Sequence, residues 1–222
     1  MDIIKQINEF LPTYSVNLPF SKKEISFTPF KVKDLKNITV VLQENNKKLA
    51  FLAMVEILKN NSKITEKELL SLSLADAEYL FLQIRSKSVE ENLNLIYNNE
   101  KIKINILDVK HKNSVQSKTF DVSENIKITL ETPTVKSLLG LESFDKENLI
   151  KASISKIVIK NEIYDTNKFV PEEIKEILNN LPIKFVSNFD TFSKTDPELY
   201  VELKTETGTK EVSGILNFFI SR

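Results

Sequence analysis

Ser73-Leu74-Ala75-Asp76-Ala77-Glu78-Tyr79-Leu80-Phe81-Leu82-Gln83-Ile84-Arg85-Ser86-Lys87 is followed, a few residues on, by Leu93-Asn94-Leu95-Ile96-Tyr97. In the first stretch Ala77, Leu80, Phe81 and Ile84 recur at i, i+3, i+4 and i+7, which predicts a helix with one face in the core. Ser73 stands at its start with Asp76 three residues on, the arrangement of an N-cap. In the second stretch Leu93, Leu95 and Tyr97 alternate with their neighbours, and Ile102, Ile104 and Ile106 alternate again after Asn98-Asn99. That change of period, from 3.6 to 2, predicts a β-ribbon joined directly to a helical segment. The chain is therefore read as α+β.

Working outward toward the N-terminus, Tyr14 to Leu18 and Glu24 to Phe30 alternate around the polar turn Ser21 to Lys23, and Pro19 and Pro29 place this hairpin at a sheet edge. Helices are expected from Lys33 to about Glu44 and from Lys47 to Asn60, the second nearly apolar all round and so central to the core. Thr65 with Glu68 makes a capping box for a short helix to Leu72. Toward the C-terminus, Phe120, Val122, Ile126, Ile128 and Leu130 suggest one or two strands before Pro133 and a helix over Thr134 to Leu141. Further helices are expected over Asp145 to Ser155, from Pro171 at a first helical position to Leu181, and over Ile183 to Phe192. A small hairpin turns at Lys160 to Glu162, and a second ribbon runs through Leu199, Val201 and Leu203, turns around Gly208 and returns over Glu211 to Ile215.

The architecture expected is thus an N-terminal β-hairpin followed by two helix-pair-plus-β-ribbon units, an echo of order with little residue identity. The division expected is residues 1–140 for the hairpin, helices and first ribbon, and 141–222 for the C-terminal helices and second ribbon, as two domains or as one continuous domain. Phe51, Met54, Leu80, Phe81, Ile84, Ile174, Phe185 and Phe189 are expected to be buried.

Composition limits the chemistry. With 222 residues, 41% of them hydrophobic and 28% charged, the chain has the balance of a globular protein. Lys and Arg number 31 against 31 Asp and Glu, so no net charge points to nucleic acid or to an anionic membrane as partner. Met1 to Phe10 mixes Asp2, Lys5 and Glu9 into its apolar residues, unlike a signal peptide, and the longest apolar run, Leu49 to Val55, is too short for a membrane span.

No cysteine is present, which excludes disulfides and thiolate metal sites, and three scattered glycines, Gly140, Gly208 and Gly214, form no phosphate-binding loop. The one histidine, His111, lies in the polar stretch Lys110 to Lys118 and is read as a solvated loop residue. Arg85 stands seven residues from Glu78 on the same helix face and is expected in a structural ion pair within or near the helix end. Glu90-Glu91 and Glu172-Glu173 have no companion histidine or nucleophile and read as surface or helix-start charge. No catalytic residue, metal ligand or cofactor is expected. At the C-terminus Leu216, Phe218, Phe219 and Ile220 are large apolar groups that need cover, either in the protein's own core or at a partner interface.

Glu78 to Val89, with its acid-Tyr-Leu-Phe start and Ile-Arg-Ser-Lys-Ser-Val end, resembles the baseplate hub and hub assembly proteins of T-even-type contractile-tailed phages. Pro29-Phe30-Lys31-Val32-Lys33, Thr132-Pro133-Thr134 and Gly214-Ile215-Leu216-Asn217-Phe218-Phe219 carry the resemblance along nearly the whole chain. It implies a non-enzymatic tail protein that binds other tail or baseplate hub proteins, the tape measure among the candidates. Its expected place is the host cytoplasm during assembly or the virion baseplate, with oligomeric state open. A cellular adaptor or chaperone unrelated to phage is the rival that composition alone allows. Leu216, Phe218 and Phe219 are the partner-binding candidates.

In many members a CxxC pair sits at each ribbon tip, whereas Tyr97 to Glu100 and Thr205 to Gly208 occupy the corresponding tips here. A four-ligand zinc shell is therefore not expected.

Overall fold

The computed structural model describes residues 3, 6, 7, 10–34, 46–97, 100–205 and 208–213. Its elements follow in the order β1 (Tyr14–Asn17), β2 (Glu24–Phe27), α1 (Lys47–Asn61), α2 (Glu66–Ser71), α3 (Leu74–Ser88), β3 (Asn92–Tyr97), β4 (Glu100–Asn105) and β5 (Lys110–Lys112). Then come β6 (Ser117–Ser123), β7 (Ile126–Glu131), α4 (Val135–Leu139), α5 (Lys146–Ser153), β8 (Ile154–Ile159), β9 (Glu162–Asp165), α6 (Pro171–Asn179), α7 (Lys184–Ser193), β10 (Glu198–Thr205) and β11 (Gly208–Ser213). The α+β class and the N-terminal hairpin are those read from the sequence. Of the helix expected over Lys33 to Glu44, residues 35–44 lie outside the described residues.

Two compact units are present: Met1–Lys112 with Glu198–Arg222, and Asn113–Pro197. The partition does not coincide with a division at residue 140. The second ribbon follows the second set of helices in sequence, but β10 pairs with β5, giving the antiparallel order β11-β10-β5 and returning the C-terminal strands to the first unit. A pairing between Glu198 and Lys112 leaves no local trace in either segment.

In the first unit α1, α2 and α3 start on side-chain caps, those of α2 and α3 as read from the sequence and that of α1 shown by the structure. Asn46 accepts from Lys48 and Leu49, Thr65 and Glu68 form a capping box, and Ser73 accepts from Asp76. The hairpin is tied to them by Thr28 N–H on the Asn61 carbonyl at 2.8 Å, and by both Asp76 carboxylate oxygens, which accept from Phe20 and Ser21 N–H at 3.0 and 2.8 Å.

The central helix is α3, not α1. Leu80, Phe81 and Ile84 are buried as expected, but so are Ala75 and Leu82 on the other side, where Ile104, Ile106, Leu199, Val201 and Leu203 cover them. By contrast Leu52 of α1 is exposed. The polar residues Asp76, Glu78 and Gln83 of α3 are buried as well: Asp76 holds the hairpin's Phe20 and Ser21 N–H groups, and Glu78 lies near Glu198 at the start of β10.

The second unit is one antiparallel sheet, β6-β7-β8-β9. Ile128, Leu130, Ile154 and Ile157 pack from it against Ile150, Phe185, Phe189 and Phe192 of α5 and α7. Pro171 opens α6, whose Ile174, expected to be buried, is only half-buried at the margin of this cluster. Ile159, Lys160, Asn161 and Glu162 make a two-residue turn with both central φ angles positive, 48° and 75°, as a type I′ hairpin requires.

Candidate partner-binding surface

Leu216, Phe218 and Phe219 lie outside the described residues. The ribbon that precedes them is described as far as Ser213, which pairs with Tyr200. Its alternation sorts the side chains: Leu199, Val201 and Leu203 point into the first unit's core, and Glu198, Tyr200 and Glu202 point outward.

The outward face is a charge ladder. Lys110 pairs with Glu202 at 2.7 Å, and Lys112 pairs with Glu198 at 3.2 Å and with Glu211 at 2.7 Å while lying 5.1 Å from the Tyr200 ring centre. Hydrogen bonds to Glu211 and Glu198 hold the Lys112 ammonium above its ordinary pKa. Such exposed pairs are screened by water and add little stability, so the ladder fixes strand register more than it stabilises the fold.

The charged residues singled out in the sequence do not converge. His111 is in strand β5, not in a loop; it pairs opposite Leu199, is exposed, and meets the Phe20 ring edge-on at 5.4 Å. Arg85 makes no ion pair with Glu78. Burial lowers the Arg85 pKa, with Glu90 just beyond the helix end opposing that shift, and Nη1 is buried without a hydrogen-bond partner.

Glu78 faces the ribbon instead. It is buried, and desolvation together with the Glu198 carboxylate pushes its pKa up to about 8, so it carries a proton at neutral pH. Glu91 pairs with Lys87 at 3.0 Å, and Glu173 accepts from Val170 N–H at the start of α6, both in the structural roles expected of them. A raised carboxyl pKa marks many active sites, but Glu78 is not among the walls of the cavity described next.

The second unit contains a cavity of about 580 Å³ between α4, α5, α6 and the ends of β7 and β8. Thr132, Ser137, Lys151, Thr166, Glu172 and Lys175 are among its walls. Its hydroxyls serve the surrounding structure: Thr166 Oγ1 donates to the Ile154 carbonyl at 2.6 Å, Ser153 Oγ to Leu149 at 2.9 Å, and Ser137 and Thr134 cap α4. Among the described residues no group of three or more His, Cys, Asp or Glu side chains is placed to hold a metal ion, and no helix is long and apolar enough to cross a membrane.

Among the described residues the geometry offers paired strands, capped helices and paired surface charge. Residues 11–220 match the sequence model of a family described as T4 bacteriophage base plate protein. The chain belongs to that family. No curated protein and no solved structure gives a match.

As a T4-type base plate protein it is a structural component of a contractile phage tail, and its interactions are with other baseplate or tail components. The family match includes the second ribbon and continues beyond β11 to residue 220, through Leu216, Phe218 and Phe219. Sequence reasoning passed over the burial of Glu78 in the first unit and the edge position of β9 in the second. In the sequence Glu78 stands seven residues from Arg85 and reads as its ion-pair partner rather than as a buried acid. The edge status of β9 depends on strand order, which no local pattern records.

Proposed function

We propose that this base plate protein works without catalysis, by binding other tail proteins while the baseplate hub is assembled in the host cytoplasm. The observation that carries the reading is the family match over residues 11–220. The described side chains agree with it: acids serve as caps, in ladders or in a proton-bearing buried state, and the Thr166 and Ser153 hydroxyls at the cavity are committed to backbone.

Leu216, Phe218 and Phe219 are the proposed anchors, because three large apolar side chains beyond an ordered ribbon supply the kind of contact that dominates interfaces. The test is co-expression with each tail protein encoded beside it, capture of the tagged chain, and mass spectrometry of purified virions. Specific capture of a hub or tape-measure protein is the expected result. Failure to capture any of them, together with normal tail assembly in the protein's absence, overturns the proposal. Presence or absence in purified virions distinguishes a retained component from a transient assembly factor.

A further inference from the structure

We propose that Arg85, in the last turn of α3, receives an Asp or Glu side chain of the tail protein this chain binds, as a bidentate pair across the interface. The proposal rests on the reading of the chain as a binder of tail proteins and names one contact of that binding.

A guanidinium carries five N–H donors and no acceptor, and it stays charged at neutral pH. Among the described residues none accepts a hydrogen bond from the Arg85 side chain or forms an ion pair with it. Nη1 is shut off from solvent without a partner, whereas the residue as a whole is only half-buried. The part left open is the edge formed by Nε and Nη2, whose two N–H groups match the two oxygens of one carboxylate. Buried polar groups nearly always find a partner within the fold, and a partly desolvated cation without one is costly to keep. A carboxylate brought by another protein supplies what this chain does not.

The neighbouring cation is already committed: Lys87 pairs with Glu91 at 3.0 Å and lies 5.9 Å from the Tyr14 ring centre. Arg85 therefore stands as a single open cation, suited to one side-chain carboxylate rather than to the run of phosphates in a nucleic acid. Glu90, exposed beyond the helix end, acts on it through its field but makes no ion pair with it. Val89, four residues on at the C-cap, is 58% exposed, and an arginine with an exposed apolar neighbour is a common make-up of an interface hot spot. The helix end that presents both is held in place: Ser88 Oγ accepts from Phe30 N–H at 2.7 Å and donates to the Ile84 carbonyl at 2.6 Å. An ordered site has less freedom to lose on binding.

Arg85 and Arg222 are the two arginines of the chain, so isotope-labelled arginine gives two Nε signals in the NMR spectrum, assigned with Arg85→Lys. The probe is the tail protein identified by capture. On its addition to the full-length protein the Arg85 Nε–H signal should shift, and its exchange with water should slow at least tenfold. Arg85→Lys, which keeps the charge but not the fork, and Arg85→Gln should each weaken binding at least tenfold in calorimetry, with little change in melting temperature. Changing the partner's acids singly to their amides should reproduce that loss at one position, and should add nothing to Arg85→Gln. Should the variants fail to fold, the NMR signal of the unsubstituted protein decides.

An Arg85 signal unmoved by the partner, binding indifferent to both substitutions, or a partner with no acid that matters overturns the proposal. So does a loss of binding that merely follows a fall in melting temperature. A free protein whose Arg85 signal moves on Glu90→Gln assigns the guanidinium to Glu90 and overturns it as well. Capture that persists without Arg85 removes this contact alone, whereas failure to capture any tail protein removes the binding reading and this contact with it.

Discussion

Replacing Glu78 by glutamine removes a buried carboxyl of α3 whose pKa is raised by its surroundings, and keeps its shape. In the unfolded chain this group titrates near 4.5, whereas in the folded protein desolvation first, and the Glu198 carboxylate second, move it to about 8. A raised carboxyl pKa costs nothing at low pH, where both states carry the proton. The cost grows as pH rises through the unfolded value and levels off above the folded one.

At pH 7 the penalty is about 3 kcal/mol, and above pH 8 about 5 kcal/mol, at about 1.36 kcal/mol per unit. A buried glutamine adds a constant cost of about 1–2 kcal/mol for its amide, so the diagnostic quantity is the slope against pH rather than stability at one pH. The assay is urea unfolding of both proteins at intervals from pH 5 to pH 8. The wild-type midpoint should fall relative to Glu78→Gln by about 1 M urea between pH 5 and pH 7. Asp196, whose burial raises its own pKa to about 6, is common to both proteins and cancels. Parallel curves for the two proteins would refute the reasoning, because they would mean that Glu78 titrates alike in the folded and unfolded states.

Phe81→Ala empties a site that is 1% exposed at the centre of the first unit and should cost about 3–5 kcal/mol, read as a lowered urea midpoint. The fragment Asn113–Pro197 contains a complete four-stranded sheet with its own apolar cluster and is expected to unfold cooperatively, whereas truncation after Gly140 separates β7 from β8 and should give an aggregating chain; circular dichroism melts of both decide this. Phe218→Ala and Phe219→Ala, made singly, should each lower affinity for a captured tail protein by about 2 kcal/mol or more if they are anchors; unchanged capture by a stably folded variant removes them from the interface. Metal analysis of the purified protein should find no stoichiometric zinc, since no cysteine stands at either ribbon tip.

The sequence by itself determined most of the elements described here, β5 excepted, and many of their ends. Thr65 with Glu68, Ser73 with Asp76, and Pro171 with Glu173 act within one turn of their own helices, so their capping is legible without any tertiary contact. The alternation of Leu199, Val201 and Leu203 likewise fixed the inward face of the second ribbon, and the spacing of Phe185, Phe189 and Phe192 fixed the buried face of α7.

Tertiary structure alone decided what those faces meet. That β10 crosses to β5, that α3 is covered on both sides, and that Glu78 stays neutral under the ribbon all follow from one pairing between residues nearly ninety positions apart in the chain. The free energy of such a pairing lies in side chains buried from both segments at once, so neither segment carries a local pattern that announces it. The same holds for β9: its hairpin was readable from Ile157 to Tyr164, but its place at the edge of the sheet exists only once β6, β7 and β8 have taken theirs.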